Sequence, residues 1–143
     1  MHYENFRIIF VYEKHRTMTT EKKYQPTESE LEVLQVLWEK GKATVREVHE
    51  VLSETRDTGY TTTLKTMQIM TEKKLLGRDT AQRTHIYAPL IEKEMVQKKL
   101  LDKVKDGLFN GSASRLVMGA LNDQNLSPEE LKEIRDFLDQ FEK

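Results

Sequence analysis

The sequence contains no cysteine. Disulfides, thiolate zinc sites and thiol-based metal sensing are thereby excluded, while the compartment stays open, since neither a reducing nor an oxidising one requires the residue. Proline is scarce, and each of the three marks the edge of an expected element: Pro26 before the first helix, Pro89 after a hairpin, Pro128 at the start of the last helix. Long apolar runs are missing. The nearest approach, RIIFVY within Met1 to Tyr24, is far too short to span a bilayer and has no small-residue cleavage site after it. It reads as a stray edge strand or part of a disordered tail. Met18 offers a second explanation, a later translation start that makes the first 17 residues an artefact. Charge of one sign is also missing, because the net charge is −1, so the whole-chain balance gives no sign of nucleic-acid binding.

Catalytic constellations are missing too. The histidines, His2, His15, His49 and His85, show no HxxxH or HExxH spacing, and no metal is expected. Ser112 and Ser114 lie in GSAS, not in a GxSxG elbow, and read as a helix cap. Glu28, Glu30 and Glu32 suit the positive end of a helix better than an acid–base pair. There is no glycine-rich phosphate loop, repeat or low-complexity tract. No enzymatic activity and no cofactor are expected.

What is present is a soluble globular composition, 37% hydrophobic and 33% charged in 143 residues, enough for one domain or two small ones. The most telling stretch runs from Thr44 to Pro89. TVREVHEVLSE reads as a helix, TRDTG as a tight link, YTTTLKTMQIMTEKK as a second helix and LLGRDTAQRTHIYAP as a hairpin. That order is a helix-turn-helix with a β-wing. The expected fold class is mainly α with a small β-hairpin wing: a winged helix-turn-helix domain over 25–89 and a helical dimerisation domain over 90–143, behind an N-terminal extension over 1–24.

The first helix is expected over Glu28 to Lys40, opened by a Thr27/Glu30 capping box and closed by Gly41. Leu31, Leu34 and Trp38 form one apolar line and Val33 and Leu37 another, so the helix packs on two sides. The second helix, Val45 to Glu54, starts on Thr44 with Glu47 and turns Val45, Val48 and Leu52 inward. In the third, Tyr60 to Lys74, the spacing buries Tyr60, Leu64, Met67 and Met70 and projects Thr61, Thr62, Lys65 and Gln68 from the other side. Leu75 to Asp79 and Thr84 to Ala88 are expected to pair as strands. A long helix follows over Ile91 to Asp106, with Val96, Leu100, Leu101 and Val104 on one face, and Gly107 and Gly111 bracket a break. A short helix over Ala113 to Leu121 is capped by Ser112, and Ser127-Pro128-Glu129-Glu130 opens the last one.

DNA contact is expected from Thr61, Thr62, Lys65 and Gln68. Gln pairs with adenine's edge, Lys with guanine or phosphate, and Thr methyls pack on thymine methyls. Thr61 to Thr63 also suit an ordinary helix start, because Thr caps well. Arg78, Arg83 and His85 in the wing are candidate backbone or minor-groove contacts, and Thr44 and Arg46 at the head of the second helix candidate DNA contacts, Arg46 as a phosphate clamp, against solvated surface as the plain alternative. Charge distribution favours contact. Residues 27–57 hold four Lys/Arg against eight Asp/Glu, whereas residues 58–89 hold five against two. In the tail, Leu131, Ile134, Leu138 and Phe141 repeat at helical steps, with Phe137 beside them. With Leu101, Val104 and Leu116 they form stripes too long for so small a core, and a second copy of the chain is the economical partner. A two-fold protein also reads a palindrome with two copies of one helix.

PTESELEVLQVLWEKGKATVREVHEVL, GYTTTLKTMQIMTEKKLL, THIYAPL, FNGSASRLVMGAL and SPEELKEIRDFL resemble the penicillinase-repressor (BlaI/MecI) family from Gln25 to the C-terminus. The resemblance implies a cytoplasmic winged-helix repressor that dimerises through its C-terminal helices and binds palindromic operator DNA. It also implies a membrane-bound metalloprotease sensor of β-lactams as a partner, whose cut in the C-terminal unit releases the DNA. The copper-responsive branch carries C-terminal cysteines, which are absent here. The family's Asn-Phe cleavage bond maps by register to Gly107-Leu108. Gly-Leu thus stands where the family has Asn-Phe; independently, the link Asp106 to Gly111 joins two expected helices, is rich in Gly and Asn, and is where flexibility and cleavage are expected. The rival functions are a winged-helix module that binds protein, a regulator that binds a small ligand directly, and a membrane-associated regulator using the RIIFVY tail.

Overall fold

The computed structural model describes residues 25–142, so the expected N-terminal extension, with RIIFVY and Met18, lies outside the described residues. Helix α1 spans Glu28–Lys40. Its start is fixed by a reciprocal box: the Thr27 hydroxyl accepts from the Glu30 N–H at 3.2 Å, and Glu30 Oε1 accepts from the Thr27 N–H at 2.9 Å. It stops at Gly41, whose φ of +86° suits glycine and whose N–H reaches the Leu37 carbonyl at 2.7 Å. Helix α2, Val45–Ser53, repeats the box with Thr44 and Glu47.

Helix α3, Tyr60–Glu72, begins differently. Its N-cap is Gly59, with no side-chain cap hydrogen bond. Thr61 to Thr63 therefore lie inside the helix and are not its cap. The buried face is also rotated from the expected line. Thr63, Met67 and Met70 are buried, Leu64 is half-buried, and Tyr60 is 40% exposed. Thr63 can turn inward because its hydroxyl meets a partner, His49 Nδ1, at 3.3 Å. The helix ends at Glu72, and Lys74 takes a left-handed φ of 68° while the Leu75 N–H bonds back to the Met70 carbonyl at 2.9 Å.

Strands β1 (Leu76–Asp79) and β2 (Ile86–Pro89) pair antiparallel, Leu76 opposite Pro89 and Asp79 opposite Ile86. The second strand starts two residues later than expected. Tyr87 sets its place: the ring is buried, and its backbone exchanges two hydrogen bonds with Ala43, at 2.9 and 2.8 Å, on the edge away from β1. Thr84 and His85 stay in the wing loop. The core gathers Leu34 and Leu37 of α1, Val48 and Leu52 of α2, Met67 and Met70 of α3, and Leu75, Leu76, Tyr87, Ile91 and Val96. Trp38 Nε1 donates to the Ile91 carbonyl at 2.9 Å, tying α1 to the segment after the wing.

Helix α4 spans Lys93–Leu108. The chain divides into two compact units inside it, one ending at Leu101 and the other starting at Asp102, because Val96 is buried in the core of the first and Met95 and Leu100 pack against it. The helix runs two residues past its expected end. Gly107 does not break it. The stop comes at Asn110 and Gly111, with φ of 53° and 76°, where the Gly111 N–H bonds to the Lys105 carbonyl at 3.0 Å. Asp106, Gly107 and Leu108 are thus helical, and the non-helical link shortens to Phe109–Gly111. Helix α5, Ala113–Leu121, is capped by Ser112, and α6, Pro128–Asp139, opens with a Ser127/Glu130 box. Phe109 packs so closely on α5 that a Cβ at Gly119 would stand 3.0 Å from its ring.

Candidate nucleic-acid interface

The outer face of α3 carries Thr61, Thr62, Lys65 and Gln68, all exposed. Positions 61, 65 and 68 follow the three- and four-residue steps of one helical face, with 62 beside it. No carboxylate lies among them, and no acidic residue stands in the helix's first turn. Among the described residues, Lys65, Arg78 and Arg83 make no ion pair, so their charge is available to phosphate.

Where α2, α3 and the wing meet, a cleft of 470 Å³ opens, lined by Thr44, Val45, Arg46, Tyr60, Leu64, Arg83, Thr84, His85 and Tyr87. The fold thus brings Thr44 and Arg46, at the head of α2, together with Arg83 of the wing. Arg78 is exposed on β1 and is not part of that cleft. Thr44 enters with its hydroxyl committed, accepting from the Glu47 N–H at 3.1 Å and lying 3.3 Å from Glu47 Oε1. Its first duty is the helix cap. Arg46 is exposed, and its guanidinium lies over the Tyr60 ring at 5.3 Å.

Two groups here escape sequence reasoning. Tyr60 reads as core by spacing yet stands at the head of α3, and His49 reads as an isolated histidine yet bridges α2 to α3. The usable signal for Tyr60 is its place directly after the glycine that caps the helix, before the inward face begins. The anchorage of α3 at its far end rests on Glu30. This buried carboxylate completes the α1 capping box with one oxygen and receives Lys73 Nζ at 2.7 Å on the other.

A three-helix head, a two-stranded wing and a solvent-facing helix that projects Thr61, Thr62, Lys65 and Gln68, with no acidic residue in its first turn, define a winged helix-turn-helix protein carrying a helical tail. The penicillinase-repressor family description matches residues 26–140. The chain is 28% identical over 117 residues to the penicillinase repressor of Bacillus licheniformis, covering 81% of this chain and 91% of that protein. It is 35% identical over 82 residues to the transcriptional regulator BlaI of Mycobacterium tuberculosis, covering 56% and 59%. It is 22% identical over 117 residues to the methicillin resistance regulatory protein MecI of Staphylococcus aureus, covering 82% and 95%. The chain belongs to the penicillinase-repressor family and is a transcriptional repressor, not an enzyme. Among the described residues, no helix is long and apolar enough to cross a membrane.

Proposed function

We propose that this repressor binds palindromic operator DNA as a homodimer in the cytoplasm, with α3 in the major groove and the wing and the head of α2 against the backbone. The observation that carries the reading is the exposed face of Thr61, Thr62, Lys65 and Gln68, on a helix whose Tyr60 and Leu64 share one cleft with Arg46 and Arg83. Lys65 and Gln68 supply donors and an acceptor for base edges, and the arginines supply phosphate contacts. Selection of duplexes from a random pool, followed by binding over a range of salt, tests this. A two-fold repeated site whose affinity falls steeply with salt is the expected outcome. Absence of any salt-dependent duplex binding would overturn it.

The tail supports dimerisation. Helices α5 and α6 have no buried residue, and Leu108, Met118, Phe137, Leu138 and Phe141 are each more than half exposed. Leu101 and Val104 are also exposed, while Leu116, Leu131 and Ile134 are half-buried. So many exposed large apolar side chains on so small a unit call for a covering surface, and a second tail supplies one by symmetry.

Repression ends, on this reading, by proteolysis between Asp106 and Gly111, including the Gly107-Leu108 bond, performed by a membrane-bound metalloprotease sensor. Leu108 is 78% exposed and stands in the last turn of α4, separated by Phe109 from two residues of left-handed backbone. A protease needs extended chain, so that turn must first unwind, and terminal turns do so most readily. Each head would then hold one half-site alone, without the roughly 10²–10⁴-fold gain of linked binding. Immunoblots before and after induction test the step; target genes that switch on while the repressor stays full-length refute it.

A further inference from the structure

The joint between α2 and α3 is apolar at its centre, where Val48, Leu52 and Met67 are buried, and polar at its mouth. At the mouth the hydrogen positions follow from elimination. Ser53 Oγ lies 2.8 Å from the His49 carbonyl, which only accepts, so the serine proton is spent there. That oxygen can then only accept from His49 Nε2, 3.2 Å away, which therefore carries the proton of the neutral ring. In that neutral form Nδ1 is the acceptor for the hydroxyl of Thr63, a residue 2% exposed on α3, 3.3 Å away. The imidazole is pinned at both nitrogens. Its ring meets the Tyr60 ring edge to face, at 5.7 Å and 83°, and Tyr60 in turn lies under the Arg46 guanidinium.

We propose that Tyr60 and His49 are positioning residues for the Arg46 phosphate contact, an inference that rests on the DNA-binding reading above. His49 fixes the Tyr60 ring, and the ring holds the guanidinium beside the head of the reading helix. A long arginine side chain otherwise loses rotamer freedom on binding, and an aromatic platform removes that loss in advance. The arrangement also sets the register between a backbone contact from α2 and the base contacts from α3, since the same few side chains join the two helices.

The experiment measures affinity for a selected operator duplex over a salt series, with unfolding of each variant followed in parallel. A wild-type protein that binds no duplex overturns the DNA-binding reading itself and leaves no variant to compare. Given wild-type binding, Tyr60→Leu is expected to lose roughly two- to fivefold, the scale of an exposed cation–π contact, and Tyr60→Phe to restore it. Arg46→Ala is expected to lower the salt slope by about one, and Tyr60→Leu added to it to cost nothing more. His49→Asn, which keeps an acceptor near Nδ1 for Thr63, is expected to bind more tightly than His49→Ala. The proposal is overturned if Tyr60→Leu costs as much without Arg46 as with it, if Tyr60→Phe fails to restore binding, or if His49→Ala binds like the wild type.

Discussion

Glu30 is the residue whose removal reports most directly on how the reading helix is anchored. It is 4% exposed, yet one oxygen serves the first turn of α1 and the other receives Lys73 just past the end of α3. Glu30→Gln keeps an acceptor for the Thr27 N–H but turns an amide toward the Lys73 ammonium, removing a charge-assisted hydrogen bond of about 1.5–3 kcal/mol. Lys73 is 44% exposed and regains water when its partner goes, which reduces the net loss to about 1–2 kcal/mol. Glu30→Ala also forfeits half of the capping box, for a total of about 2–3 kcal/mol. Urea unfolding followed by the fluorescence of Trp38, the sole tryptophan, measures both. A double-mutant cycle with Lys73→Met should show a coupling of about 1 kcal/mol, and added salt should remove little of it, because the receiving carboxylate is buried. A Glu30→Gln protein within about 0.5 kcal/mol of the wild type, the span of an ordinary surface change, would refute the clamp.

Lys74 holds a φ of 68° where a side chain is disfavoured, so Lys74→Gly should raise stability by about 1 kcal/mol, read as a higher unfolding midpoint. Leu138→Asp places a charge on the exposed apolar face of α6 and should convert a dimer to monomer in analytical ultracentrifugation, with loss of tight operator binding; a fully dimeric variant would move the interface elsewhere. Gln68→Ala should cost about 1–3 kcal/mol at its cognate base pair and relax preference there, as read in a gel-shift series of altered duplexes. Equal affinity and equal preference would remove Gln68 from base recognition.

Helix starts were legible in the sequence wherever the signal was local. The Thr27/Glu30, Thr44/Glu47 and Ser127 starts are interactions across three residues, and all three stand in the structure. What was not legible depends on distant partners. The position of β2 is set by Ala43, more than forty residues upstream of Tyr87. The inward face of α3 was misjudged because a threonine is buried there and a tyrosine is not, a choice that His49 decides from another helix. The stop of α4 was placed too early because Gly107 looks like a breaker, whereas an α-helix tolerates a glycine, and this one ends just before Asn110 and Gly111 turn left-handed. The projecting residues of α3 were read from spacing alone, and they are exposed on that helix; the cleft that joins Arg46 to Arg83 beside Tyr60 and Leu64 is a property of the wing that spacing does not contain.

Gly59 has a consequence for clearance. Its φ lies outside the left-handed region, and a Cβ there would meet nothing within 4 Å, so neither strain nor crowding demands a glycine. Stability alone would favour serine or aspartate at this cap, though only by a few tenths of a kcal/mol. In exchange for that small sum, the head of α3 carries no bulk and no negative charge. A polyanionic surface can draw up to the first amides of the helix without a side chain standing between them, and Gly59→Asp would make the free protein firmer while making that approach harder.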